Sequence, residues 1–299
     1  MWFKNLLIYR IRDWKLSAAQ LDEALARQAF QACGSMDMTS RGWLPPKGQN
    51  EALVHSLERR MLIALGVEKK LLPATVINQY AKDRAADIEE QQGFAPGRKQ
   101  LREIKEQVTD ELLPRAFGCR RTTFAWIDPV GGWFVVDAAN AAKADELLEA
   151  LKKSVDDLSF TFVKTKSSPV AAMTGWLAAD EAPSGFTVDR DCELLAPGDE
   201  KATVRYVRHT LEAGEIRSHL TAGKQVTKLA MTWNERISFV LHENFQVKRL
   251  AFLDILKEQS EQQAEDASEQ FDADFAIMSG EFSRFLPDLL DALGGEEVK

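Results

Sequence analysis

The sequence predicts an α+β fold, and three observations predict it. Apolar stripes at spacings of three and four mark amphipathic helices. Short runs with period-two alternation, separated by turn residues, mark strands and hairpins. The composition, 45% hydrophobic and 28% charged, is that of a packed globular chain. At 299 residues, one intertwined unit or two to three small subdomains are both admissible.

Residues 2–11 are apolar at both parities, with Phe3, Leu7 and Tyr9 on one and Leu6 and Ile8 on the other, as expected of a central strand covered on both faces. Ser17 stands before Leu21, Ala24, Leu25 and Ala29, an N-cap followed by a helical stripe. The segment Gly42-Trp43-Leu44-Pro45-Pro46-Lys47-Gly48 reads as a loop, and residues 61–67 as a strand. Pro73 fits the first turn of a helix running to about Gln91, ended by Gly93, Pro96 and Gly97. Over residues 98–113, Leu101, Ile104, Val108 and Leu112 line one helical face. Arg98, Arg102 and Lys105 fall on one flank of it and Glu103, Glu106 and Asp110 on the opposite side.

Residues 122–128 and 133–137 flank Pro129-Val130-Gly131-Gly132 as a hairpin, followed by a helix over 141–155 and a strand over 160–163. A short helix and a Pro/Gly loop occupy 170–185, and a strand 186–195. Over 224–250, Leu229, Met231 and Trp233 share a face with Ile237, Phe239 and Leu241 only if Trp233 pairs with Ile237 across a loop at 234–236. Lys224 and Lys228 then point to the other face. Phe271, Phe275, Met278, Phe282, Phe285, Leu286, Leu289 and Leu293 trace a closing helix with an acidic outer side. The expected portions are 1–72 (α+β), 73–121 (helical, with a basic stripe), 122–200 (α+β) and 201–299 (hairpin and helix).

The net charge of −8 and pI near 5.3 fail the simple test for a nucleic-acid binder. The charge is unevenly spread, however. Residues 1–58 carry +1, 59–121 carry +4, 122–200 carry −8, 201–250 carry +5 and 251–299 carry −10. Either the blocks mix in three dimensions and cancel, or they create the local potential that decides where a polyanion sits. The basic flank at 98–105 is either a solvated helix with mixed pairs or a functional stripe. Its basic-before-acidic pairs, such as Arg102 with Glu106, have the weaker orientation for helix support, which favours function.

Several classes are disfavoured. The apolar run at the N-terminus is broken by Lys4, Asn5 and Arg10, and no stretch approaches the length needed to cross a bilayer, so no signal peptide, anchor or membrane partner is expected. Cys33, Cys119 and Cys192 suggest neither a disulfide framework nor a zinc site, and a reducing cytoplasm fits. His55, His209, His219 and His242 show no metal or nucleophile spacing. The Gly93–Lys99 stretch lacks phosphate-loop spacing. Asp272 and Asp274 point in different directions on a helix and read as helix N-terminal acids. No catalytic residue, metal or cofactor is expected. Phe117, bracketed by Pro114 and Gly118 with Arg115, Arg120 and Arg121 nearby, reads either as an apolar tip for phosphates or a second subunit, or as a side chain packed beneath a loop.

Six segments resemble the recombination-associated RdgC family, in its order and over nearly the whole chain: Met1-Trp2-Phe3-Lys4-Asn5-Leu6, Glu68-Lys69-Lys70-Leu71-Leu72-Pro73, Leu112-Leu113-Pro114-Arg115-Ala116-Phe117, Trp126-Ile127-Asp128, Ala222-Gly223-Lys224-Gln225-Val226-Thr227-Lys228-Leu229 and Phe271-Asp272-Ala273-Asp274-Phe275. The resemblance implies an elongated, curved subunit that pairs with a second copy into a ring-shaped homodimer. The ring would hold double-stranded DNA without reading its sequence or catalysing a reaction, and would limit access of the RecA recombinase to DNA in the cytoplasmic nucleoid. Phe117 and the Arg208-His209 pair would make the self-contacts; Arg208-His209 stands where the family more typically has Lys-Gln. The expected phosphate contacts are Arg98, Lys99, Arg102, Lys105, Arg115, Arg120, Arg121, Lys224 and Lys228. Two rivals remain: a protein-interaction inhibitor of recombination proteins that does not need DNA, and an enzyme acting on nucleic acid.

Overall fold

A computed structural model describes residues 1–48, 51–198, 201–211 and 213–297. The first strand, Leu6–Ile11 (β1), leads to helix Ala18–Ala26 (α1), where Ser17 and Gln20 form a reciprocal capping box. Strands Thr39–Leu44 (β2), Val54–Leu57 (β3) and Arg60–Leu71 (β4) follow. Next come helices Ala74–Gln92 (α2) and Arg98–Leu112 (α3), a 3-10 turn at Leu113–Arg115, strands Phe117–Asp128 (β5) and Trp133–Asp137 (β6), and helix Ala141–Ser154 (α4). Strand Phe160–Phe162 (β7), helix Pro169–Ala179 (α5), strands Phe186–Leu195 (β8) and Thr203–Tyr206 (β9), and helix Ala213–Thr221 (α6) continue the chain. Strands Gln225–Trp233 (β10), Ile237–His242 (β11) and Val247–Phe252 (β12) precede helices Asp254–Glu261 (α7) and Ala267–Ala292 (α8).

The α+β expectation holds, with every strand ladder antiparallel and all of them in one twelve-stranded sheet of order β2-β4-β5-β6-β1-β12-β11-β10-β8-β9, to which β3 and β7 attach through β4 and β1. The predicted Trp233–Ile237 pairing is present. Two half-sheets, of seven strands and of five, meet at β1 and β12, where the ladder shows one register pair, Leu6 with Val247, and Lys4 O accepts from Leu250 N at 2.9 Å.

Burial explains the layers. Leu6, Ile8, Trp126, Trp133 and Val135 face α8, together with Leu229, Met231, Trp233, Phe239 and Leu241 from the other half. The alternate residues Leu7, Tyr9, Ile63, Ile127 and Phe134 face α1 and α4. Phe282 of α8 is fully buried at the seam, against Trp126 at 5.5 Å, Phe3 at 5.7 Å and Phe252 at 5.8 Å between ring centroids. Polar ties fix the helix along its length: Trp126 Nε1 donates to Ser279 Oγ at 3.1 Å, Trp233 Nε1 to Asp288 at 2.9 Å, and Arg236 clamps the buried Glu281.

Four local expectations need correction. Residues 2–5 are not strand: Trp2 stacks on Phe252 and Phe3 on Phe282, so their apolar character reflects burial under α8 and β12. Gly42, Trp43 and Leu44 belong to β2 and not to a loop. Gly42 is required by close approach, since a Cβ there would lie 2.5 Å from Phe30 Cα, where the chain pairs with Trp43. Phe117 is not packed beneath a loop: it opens β5, largely exposed, and pairs with Leu71 at the far end of a ladder running from Met61–Ile127. Asp272 and Asp274 lie beyond the first turn of α8. Asp272 binds Lys47 at 2.7 Å, while Asp274 is buried against Ser260, Gln270 and the Met1 amine, so both are tertiary anchors.

Because Phe282 is the contact shared by both half-sheets, Phe282→Ala is expected to cost about 3–5 kcal/mol. Urea unfolding followed by tryptophan fluorescence should show one transition, shifted as a whole.

Candidate nucleic-acid interface

The β4–β5 ladder ends in a helical arm. Helix α2, of 19 residues, extends about 28 Å at 1.5 Å per residue, and α3 returns beside it. Ala81, Ala85, Ile104 and Val108 form the arm's own small core, with Ile77, Ile88, Leu101 and Leu112 packed around it. This is the predicted apolar face of α3, and it meets α2. Gly93 caps α2 in the left-handed region at φ 78°, which turns the chain at the arm's tip.

The tip carries an unusual charge arrangement. Helix α3 begins at Arg98 and Lys99 with no acidic residue in its first turn. Cations at a helix N-terminus oppose the macrodipole, so the local sequence sacrifices helix stability and adds to the positive potential of the free amides. Phe94, 64% exposed, stands beside them. Farther along, Arg102 Nε meets Glu106 at 3.0 Å and Lys99 Nζ meets Glu103 at 4.0 Å, all on highly exposed side chains. Such surface pairs are worth roughly 0–1 kcal/mol and yield readily to a phosphate. Lys105 and Arg115 have no carboxylate within ion-pair distance among the described residues.

The other candidates are placed differently. Arg120 binds Glu68 at 3.0 Å and lies 4.4 Å over the Phe30 ring. Arg121 is paired with Glu146 of α4. Lys228 meets Glu193 at 2.8 Å, and Arg205 binds the same carboxylate. Burial pushes Glu193 up, but the Lys228 and Arg205 cations more than offset it, so its carboxyl lies below the usual range. Lys224, just before β10, lies 3.3 Å from His219 Nδ1. The structure therefore gathers Arg98, Lys99, Arg102 and Lys105 on one arm, sets Arg115 at its root, and leaves Lys224 and Lys228 in the other half-sheet.

Phe117 is 82% exposed, and its cross-strand neighbour Leu71 is 56% exposed on the same face, at the root of the arm. Arg208 and His209 follow β9, at the opposite edge of the sheet. Arg208 adopts φ 51°, and its N–H donates to Asp191 Oδ1 at 2.7 Å. That bond, helped by Arg249, holds the Asp191 carboxyl below the usual range. His209 N donates to Arg190 O, and its ring lies 5.8 Å from Tyr206. From β5 to β9 there are seven interstrand steps, about 34 Å at roughly 4.8 Å each. The two expected self-contacts therefore lie well apart on one subunit.

Sequence reasoning missed Phe94 as the arm's tip, and it missed Lys70, a buried lysine on β4; only the latter's place inside an apolar strand offered a signal. Among the described residues no three His, Cys, Asp or Glu side chains converge as a metal site, and no helix is long and apolar enough to cross a membrane. A cleft of about 650 Å³ contains Arg10, Trp133, Asp128 and Glu296, but Arg10 is stacked on Trp133 at 3.5 Å and bound to Glu296.

These features define an α+β protein with a cationic helical arm and two exposed, widely separated segments at Phe117 and at Arg208-His209. The family model described as "Putative exonuclease, RdgC" matches residues 1–296. Proteins named "Recombination-associated protein RdgC" are similar over full length. That of Dechloromonas aromatica (strain RCB) is 57% identical, covering 100% of this chain and 99% of its own. That of Herminiimonas arsenicoxydans is 58% identical, covering 100% of both. That of Cupriavidus pinatubonensis is 54% identical, covering 99% of each. The chain belongs to the RdgC family.

On β11, burial, with the Lys228 and Lys248 cations, lowers the His242 imidazole to about 4 from 6.5, against a small opposing effect of Glu193. The folded chain then binds fewer protons than the unfolded one between these values, so this contribution to stability is full above about 6.5 and falls as pH drops toward about 4. Urea midpoints across that window should decline less steeply in His242→Asn than in the native chain.

Proposed function

We propose that the protein binds double-stranded DNA without sequence preference and without catalysis, as a ring-shaped homodimer in the nucleoid that limits RecA access to DNA and so modulates recombination and replication restart. The observation that carries this reading is the arm. Arg98, Lys99, Arg102 and Lys105 gather on α3, two of them at a helix N-terminus with no acid in its first turn. Phosphate contacts of this kind position a duplex without reading bases. Arg115 and Lys224 are the further candidates, while Arg120, Arg121 and Lys228 already hold carboxylates and serve the local structure first.

The exposed Phe117–Leu71 pair and the Arg208-His209 segment, near opposite ends of the sheet, support self-association at two contacts, the minimum for closing two subunits into a ring. The acidic C-terminal block, −10 over residues 251–299, favours keeping DNA on the basic side. The names of the relatives, which tie them to recombination, agree with this reading.

With six or so phosphates neutralised, the logarithm of affinity for duplex DNA should fall against log salt with a slope of about −5. Reversing Arg98, Arg102 and Lys105 to Glu should remove both binding and inhibition of RecA strand exchange; inhibition that survives without binding identifies a protein-contact inhibitor instead. The family description favours a test of exonuclease activity: end-labelled duplex incubated with protein and Mg²⁺ should stay intact, and shortening from the ends would overturn the non-catalytic reading. Light scattering should give a dimer, reduced toward monomer by Phe117→Ser.

A further inference from the structure

We propose that Lys70 is the positioning residue that sets the direction of the α2–α3 arm, by holding the carbonyl end of α3 with a buried ammonium. Little else holds the arm. The apolar residues of its two helices form a cluster of their own, separate from the two sheet cores, and the buried Leu113 stands at its root. It leaves the sheet through Leu71-Leu72-Pro73 and returns through the Leu113–Arg115 turn. Two covalent connections alone would let the arm pivot about its root.

Lys70 stands at that pivot. It is 7% exposed, on a strand whose same-face residues Leu62, Ala64 and Gly66 are buried and uncharged, with the partly buried Glu68 standing between them and Lys70. Its Nζ donates to Leu113 O at 3.0 Å and to Ser35 O at 2.8 Å. Leu113 is where α3 passes into the 3-10 turn, and its carbonyl also accepts from Ala116 N at 3.2 Å. Carbonyls at a helix C-terminus carry the negative end of the dipole and lack intrahelical donors, so a cation there is both attracted and directionally bonded. Ser35 belongs to the segment flanking β2, and Lys70 N itself donates to Met38 O at 3.0 Å. One side chain therefore ties a sheet strand, a surface segment and the end of the arm.

A merely packed position would not need this group. Burying an ammonium is costly unless it is well bonded, and a methionine would fill a similar volume without that cost. No carboxylate neutralises Lys70 among the described residues. Glu68, two residues earlier on the same face, is taken up by Arg120 and by Cys33 N. What the ammonium adds is direction: bonds to two fixed carbonyls on separate parts of the chain.

The consequence for DNA rests on the reading that the arm carries phosphate contacts. A held arm presents Arg98, Lys99, Arg102 and Lys105 in one place, whereas a swinging arm must be ordered on binding. The test uses full-length protein carrying nitroxides on unnatural amino acids at Ala95, in the arm's tip, and Ala142, in α4. Labelled protein is diluted with unlabelled protein so that each measured distance lies within one chain. Without DNA, the native protein should give one narrow distance distribution and Lys70→Met a broad one. The variant should bind duplex DNA about tenfold more weakly, because the arm must be ordered, with an unchanged salt slope, because no phosphate contact is lost. Lys70→Arg, which keeps a cationic donor, should narrow the distribution again. An equally narrow distribution in Lys70→Met overturns the proposal, and so does a broad one in the native protein, whether or not the variant folds. A broadened arm with unchanged DNA affinity leaves the lock standing and removes the arm from the DNA-binding surface.

Discussion

The structure depends on the packing of α8 across the junction of two half-sheets. Where β1 meets β12 the ladder shows one register pair, and backbone bonding there cannot hold seven strands to five. The joint is made by side chains: Phe282 lies among Trp126 from one half, Phe252 from the other and Phe3 from the N-terminal segment. Burial of such rings is non-directional and strong, so it tolerates the twist that a wide sheet accumulates. Ser279, Asp288 and Glu281 then fix the helix's register through partners on both halves.

That joint gives the two halves a related organisation. From the seam outward each runs through a hairpin, β6-β5 or β11-β10, then a strand, β4 or β8, and then an edge strand, β2 or β9. The connection from β4 to β5 carries the arm and ends at Phe117, the first residue of β5, and the connection from β8 to β10 carries Arg208 and His209. Segments distant in sequence thereby become comparable outlying features of a single framework. The edge at β2 is covered by the chain at Gln28 to Phe30, which pairs with Trp43, so that edge does not offer a free ladder.

Charge follows the same logic of position. The basic block at 59–121 does not act as one surface. Arg120 and Arg121 stand on a strand within reach of Glu68 and Glu146, which arrive from β4 and α4, and they bind those carboxylates. Arg98, Lys99 and Lys105 stand on a helix that leaves the body, beyond reach of the body's acids. Exposure and distance, rather than the local density of arginine, separate cations that hold the fold from cations available to a polyanion.

Local patterns in the sequence already determined the helical stripes of α3 and α8, the capping of α1 at Ser17, the hairpin around Gly131 and the register at Trp233, because each depends on residues within a few positions of one another. The resemblance of six segments to one family was equally local. Only the tertiary structure decided that Gly42 is a point of close contact, that Asp272 and Asp274 anchor α8, that Phe117 lies at the root of the arm and Phe94 at its tip, and that Lys70 is buried beneath a helix end. Except for the exposed Phe94, each of these depends on a partner between 12 residues away, as Gly42 with Phe30, and 273 away, as Asp274 with Met1, and the identity of such a partner is set by how the chain closes in three dimensions.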